Sequence, residues 1–147
     1  MIALLQRVTE ARVTVGDRVA GEIGPGLVCF VCAEPEDDDA LVDRLVAKVL
    51  ALRIFADEAG KMNLDLGAIG GGLLVVSQFT LAADTSRGNR PGFSKAAPPE
   101  RARRLYERTL DTARRLHPNV AAGEFGADMR VSLVNDGPVT IPITLRA

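Results

Sequence analysis

The 147 residues are 47% hydrophobic and 25% charged with a net charge of −1, the balance of one soluble globular domain spanning residues 1–147 with a core large enough to stand alone. No apolar run approaches membrane-spanning length. The apolar start Met1 to Leu5 is followed at once by Arg7 and Glu10, too short for a signal segment, so a cytosolic protein without membrane contact is expected.

Four short strands are predicted first, Ala3 to Val8, Ala11 to Val15, Arg18 to Ile23 and Leu27 to Cys32, punctuated by the turn formers Gly16-Asp17 and Gly24-Pro25-Gly26. Cys29 and Cys32 fall inside the fourth. Residues three apart in a strand point to opposite faces, so this C-x-x-C spacing predicts two buried small side chains rather than a redox or zinc pair. Asp37-Asp38-Asp39 opens a helix in which Leu41, Val42, Leu45, Val46, Val49 and Leu50 recur at helical spacing; the three acids suit the positive end of its dipole better than a metal ion.

Ala56 to Gly72 reads as loop. Its terminal Gly70-Gly71-Gly72 leads into a strand with no Lys-Ser or Lys-Thr behind it, which argues against a phosphate-cradling loop. Leu73 to Val76 is that strand, and Ala82 to Ala97 a long polar loop. Pro98-Pro99-Glu100 starts a second helix, with Ala102, Leu105, Tyr106, Leu110, Ala113 and Leu116 on its apolar side and Arg101, Arg104, Arg108 and Arg115 on the other. His117-Pro118 closes it. Three strands follow, Val120 to Glu124, Met129 to Val134 and Val139 to Leu145. The fold class expected is α/β: a mixed, mostly antiparallel sheet in layers with two main helices.

Charge is uneven along the chain. Residues 87–115 hold nine bases (Arg87, Arg90, Lys95, Arg101, Arg103, Arg104, Arg108, Arg114, Arg115) against three acids (Glu100, Glu107, Asp111). Clustering of this kind suits a polyanion such as RNA, and equally describes the solvated face of a helix.

Two segments place polar and backbone-special residues inside apolar strands: Ser77-Gln78-Phe79-Thr80 after Leu73 to Val76, and Asn135-Asp136-Gly137-Pro138 between the last two strands. Alone, the second is a hairpin turn, since all four residues are turn formers. An X-Pro bond is also the one kind that adopts cis at appreciable frequency, so Gly137-Pro138 can display neighbouring carbonyls to a cation or an amine. No second histidine accompanies His117, whose place at a helix end reads as structural, and the cysteines do not cluster. A zinc hydrolase and a Ser-His-Asp hydrolase are both poorly supported, and neither metal nor cofactor is expected.

Taken together, Ser77-Gln78-Phe79-Thr80-Leu81 and Asn135-Asp136-Gly137-Pro138-Val139-Thr140 resemble the motif pair of the D-aminoacyl-tRNA deacylases, which hydrolyse D-amino acids from tRNA. Gln6-Arg7-Val8, Leu52-Arg53-Ile54-Phe55, Lys61-Met62-Asn63, Pro91 to Pro99 and Phe125 to Met129 resemble further family segments in the same order, so the likeness covers essentially the whole chain. It implies that D-aminoacyl-tRNA, and glycyl-tRNA, lose their ester here, at a site formed by Ser77, Gln78, Phe79 and Thr80. It implies a homodimer in which a cis Gly137-Pro138 reaches into the partner's site and accepts the substrate's α-ammonium, with Arg7 bracing that turn and Phe125 and Met129 lining the pocket. The 2′-hydroxyl of the terminal adenosine would assist attack. An aminoacyl ester is already activated, so N–H donors at the end of the Ser77 strand, with the Thr80 hydroxyl, are chemistry enough. For Ser77 and Thr80 alone, ordinary capping of a strand end remains open. DNA is not an expected partner. A non-catalytic RNA-binding or ligand-sensing dimer, and a hydrolase of small activated amino acyl esters, are the competing classes.

Overall fold

The computed structural model describes residues 1–147. Its elements run β1 (Ile2–Val15), β2 (Arg18–Ile23), β3 (Gly26–Cys32), α1 (Asp39–Ala51), β4 (Phe55–Ala56), β5 (Met62–Leu64), β6 (Gly72–Ser77), a 3-10 helix (Phe79–Ala82), α2 (Pro99–Leu116), β7 (Val120–Ala122) and β8 (Arg130–Thr144). Six strands form one sheet in the order β2-β1-β3-β6-β7, with β8 added against β1. The pairs β3–β6 and β6–β7 are parallel and the rest antiparallel, so the mixed, mostly antiparallel α/β class stands.

Two pairs of expected strands are single strands. Ala3 to Val8 and Ala11 to Val15 join in β1, and Met129 to Val134 and Val139 to Leu145 join in β8, because β8 runs antiparallel beside nearly all of β1. Pairing resumes on the far side of each interruption, and register shifts at Gln6/Val8 and Val8/Glu10 absorb the mismatch. Asn135 to Pro138 is therefore an excursion within a strand and not a hairpin turn. The stretch expected as loop from Ala56 to Gly72 also holds β5, which pairs with β4.

The sheet is buried on both sides, which accounts for the unbroken apolar runs of β3 and β6. Leu27, Cys29, Val31, Leu73 and Val75 pack toward α1 and α2, while Val28, Leu74 and Val76 pack on the opposite face with Val8, Val13 and Ile23. The sheet also curls: a Cβ on Gly21 of β2 would collide with the carbonyl of Ala122 in β7.

The acids of α1 do more than complement a dipole. Asp38 caps the helix through the Leu41 N–H at 2.9 Å, but Asp39 pairs with Arg104 at 2.7 Å and Asp43 with Arg108 at 2.6 Å. Most of the α2 arginine face thus closes a seam between the helices, leaving Arg115 exposed beyond it.

Candidate active site

At the end of β6, Ser77 pairs with Val31 of β3, and the Gln78 N–H donates to the Val31 carbonyl at 2.8 Å before the chain turns into the 3-10 helix. The first N–H groups of such a helix have no acceptor within it. Beneath them opens a cavity of about 580 Å³, lined by Ser77, Gln78 and Phe79, by Cys32 of β3, by Ala102 and Tyr106 of α2, by Phe93 of the long loop, and by Phe125 and Met129. This volume suits a nucleoside-sized ligand. The Gln78 side-chain amide donates to the hydroxyl of Thr80, which is exposed and does not itself line the cavity.

No Asp, Glu, His, Lys or Arg side chain lines the cavity, and the amino group of Met1, which also borders it, is held by Glu34, Asp37 and the Leu145 carbonyl. Burial pushes the Cys32 thiol up to about 11 and the Tyr106 phenol up to about 12. Tyr106 spends its hydroxyl on the Val75 carbonyl at 3.0 Å, so it offers the cavity a ring. His117 lies outside: it is buried, with Nε2 2.7 Å from the Gly71 carbonyl oxygen.

The second motif is built differently. Between the pairs Val8↔Asn135 and Gln6↔Thr140, β1 uses one residue, Arg7, and β8 uses Asp136 to Val139, so the surplus bows outward. Arg7 Nε donates to the Asp136 carbonyl at 2.9 Å and a terminal nitrogen of the same guanidinium to the Ile54 carbonyl at 2.7 Å. Asn135 Nδ2 donates to the Arg7 carbonyl at 2.9 Å and the Val139 carbonyl at 3.0 Å, stapling the base of the bulge, and Gln6 donates to the Thr140 hydroxyl at 3.1 Å. The Gly137-Pro138 peptide is cis, and both residues are exposed. They do not line the cavity of their own chain.

Residues 4–144 match the model of the D-Tyr-tRNA(Tyr) deacylase family. The chain belongs to that family. A D-aminoacyl-tRNA deacylase of Methylibium petroleiphilum is 66% identical over 99% of this chain and 95% of its own length, and one of Burkholderia mallei is 59% identical over the whole of both. Among solved structures, one named c-Myc DNA Unwinding Element Binding Protein superposes with TM-score 0.95 at 39% identity over the whole of both chains. A probable eukaryotic D-amino acid tRNA deacylase superposes with TM-score 0.86 over 97% of each chain; at 16% identity this likeness speaks for the deacylase fold alone.

Within this family member, the residues singled out from sequence fall into two groups. Ser77, Gln78, Phe79, Phe125 and Met129 meet at the cavity, Thr80 is tied to Gln78 without lining it, and Arg7, Gly137 and Pro138 meet at the bulge. One chain does not bring the groups together. Sequence reasoning missed the two-way staple of Asn135, although an amide with two N–H donors beside a Gly-Pro pair is a usable signal. It also missed Phe93 and Cys32 as cavity residues, which no local pattern marks.

Proposed function

We propose that this protein hydrolyses the ester linking a D-amino acid, or glycine, to the 3′-terminal adenosine of tRNA in the cytosol, releasing the amino acid and tRNA and sparing L-aminoacyl esters. The observation that carries this reading is a nucleoside-sized, largely apolar cavity beside the start of a 3-10 helix, lined by no Asp, Glu, His, Lys or Arg side chain. Such a site cannot cleave an amide readily. An activated ester needs less: the carbonyl seats against N–H groups at the start of the helix that follows Ser77, which stabilise charge on its oxygen as water attacks. The adenosine 2′-hydroxyl assists the attack, and the rings of Phe125 and Tyr106 with the thioether of Met129 hold the nucleoside.

Chirality is read by backbone. In the proposed homodimer, the exposed carbonyls at Gly137-Pro138 enter the partner's cavity and accept the substrate's α-ammonium. With ammonium, carbonyl and ester oxygen fixed, an L side chain strikes the turn and a D side chain points to solvent; glycine, lacking either, is accepted. Matched D-aminoacyl-, L-aminoacyl- and glycyl-tRNA, scored for ester loss, test the reading: the D and glycyl esters are expected to disappear while the L ester persists. Comparable loss of D and L refutes it.

A second reading is a nucleic-acid-binding protein without hydrolytic activity, motivated by the name of the 39%-identical solved structure. Binding of DNA or tRNA with all three esters intact in the same assay would establish it instead.

A further inference from the structure

The bases of residues 87–115 are not equally free. On α2, Arg101 donates to the Asp37 carbonyl, Arg104 holds Asp39 at 2.7 Å and Arg108 holds Asp43 at 2.6 Å. Guanidiniums already neutralised across a helix seam have little charge to give a polyanion. Arg87 and Arg90, like Arg103, Arg114 and Arg115 of α2, are exposed and enter no salt bridge, but they alone stand on the loop that leads into Phe93.

They stand on an arm, Thr85 to Pro91, whose ends are tied together. Asp84 N–H donates to the Gly92 carbonyl at 2.8 Å and Gly92 N–H returns to the Asp84 carbonyl at 2.9 Å, while the Asp84 side chain accepts from Ser86 N–H at 3.0 Å and Ser86 Oγ at 2.6 Å. The residue after this closure is Phe93, which lines the cavity, packs edge-on against Phe79 with ring centroids 5.1 Å apart, and remains 37% exposed. The arm is therefore anchored at the cavity mouth and carries two uncompensated guanidiniums beside an accessible aromatic ring.

We propose that this arm is the entry clamp for the single-stranded 3′ end of the RNA: Arg87 and Arg90 take backbone phosphates of the nucleotides preceding the terminal one, and Phe93 gives an unpaired base a face to stack on. The inference rests on the functional reading above. A single strand presents phosphates and unstacked bases together, and that combination is met by fixed cations beside an exposed ring. Guanidinium forks match phosphate oxygens in pairs, so two arginines on a closed loop grip a strand where two mobile ammoniums would only attract it. Arg101, Arg104 and Arg108, by contrast, hold the fold.

The test uses two substrates that differ in phosphate: D-aminoacyl-tRNA, and the same D-amino acid esterified to free adenosine. For Arg87→Ala/Arg90→Ala, kcat/KM on charged tRNA is expected to fall roughly twentyfold near 0.1 M salt, through KM, with the log–log salt slope shallower by about 1.4, since each single-strand phosphate contact is worth about 0.7 of slope. Hydrolysis of the adenosine ester is expected to be unchanged. Affinity for uncharged tRNA should lose the same slope, and Arg104→Ala should lose none. Equal loss on both substrates would mean that the arm shapes the cavity, and an unaltered salt slope would mean that it serves another partner, such as an acidic protein; either overturns the proposal. A parent protein that binds tRNA yet cleaves neither ester refutes the hydrolase reading alone, because the binding slopes still decide the arm.

Discussion

One motif ends its strand and the other interrupts one, and the two are held by unlike forces. Ser77 to Thr80 grows out of β6, whose Leu73 to Val76 are buried on both faces of the sheet, so the cavity inherits its shape from the hydrophobic core. The Asp136 to Val139 bulge reaches the core only through Val139; Asp136, Gly137 and Pro138 are exposed, and the excursion is held by donors from Arg7 and Asn135 to backbone carbonyls. Hydrophobic packing tolerates few changes without loss of stability, whereas a polar staple on an exposed bulge can be altered at little cost to the fold. Stability and function should therefore separate by region.

The largest expected effect is at Gly137. Its φ of +154° disfavours L side chains, and a Cβ there would stand 2.5 Å from the Val139 nitrogen. Gly137→Val should cut D-aminoacyl-tRNA hydrolysis on the order of a hundredfold or more, the scale of a lost transition-state contact. Its melting temperature should stay within a few degrees of the parent, because the distortion is confined to the bulge. Full activity, or a collapse in stability, breaks the comparison. The same variant sharpens it: mixed with Gln78→Ala subunits after verified exchange, it should regain roughly a quarter of parental activity, because half the dimers formed carry one site free of both lesions. No recovery above either parent rules out a site shared across subunits.

Gly26 is the converse. A Cβ there would collide with the Gly72 carbonyl and lie 2.7 Å from the Gly72 nitrogen, in the parallel pair that carries β6. Gly26→Ala should lower unfolding free energy by about 2–3 kcal/mol in urea melts, the cost of overpacking, with kinetic constants of the folded fraction and its D over L preference unchanged. A stable variant with altered selectivity would show that the core does not set the cavity.

A smaller, more selective effect is expected of the staples. Arg7→Lys cannot reach the Asp136 and Ile54 carbonyls at once, and Asn135→Asp turns two donors into acceptors against the Arg7 and Val139 carbonyls. Each should reduce D-ester hydrolysis by about tenfold and raise the relative rate on the L ester, with Asn135→Ser partly rescuing the second. Loss of stability without change in the D-to-L ratio would place these residues with the core.

The same division decides what the sequence made legible. Periodicity marked both helices, and an unbroken apolar run marked the strand that delivers Ser77, because buried faces leave such patterns. The two motifs stood out because each sets polar and backbone-special residues against apolar runs. What local pattern could not carry was pairing at a distance: β1 and β8 read as four strands because only their mutual register bridges the interruptions. Arg104 and Arg108 looked equally suited to RNA or solvent because their α1 partners lie some 65 residues away along the chain. Cys29 and Cys32 were readable as buried, yet that Cys32 faces the cavity follows from where α2 and Phe125 pack, which no spacing encodes.

The smallest expected effect belongs to that helix seam, polar like the bulge but structural like the core. Asp43 accepts from Arg108 at 2.6 and 3.0 Å and from the Thr112 hydroxyl at 2.8 Å, and these bonds, Arg108 first, lower its carboxyl from the ordinary 3.8 to about 2. A carboxyl that is more acidic in the folded state than in the unfolded chain favours folding fully only above its unfolded value. The contribution shrinks as pH falls from about 4 and is gone below about 2. Asp43→Asn should accordingly melt a few degrees below the parent at pH 7, with the gap closing between those two values. Both partners are about one-third exposed, so the gap should narrow in high salt. Deacylation at neutral pH should be unaffected, since neither side chain lines the cavity. A melting gap that persists unchanged to pH 2 would mean that Asp43 acts through shape rather than charge.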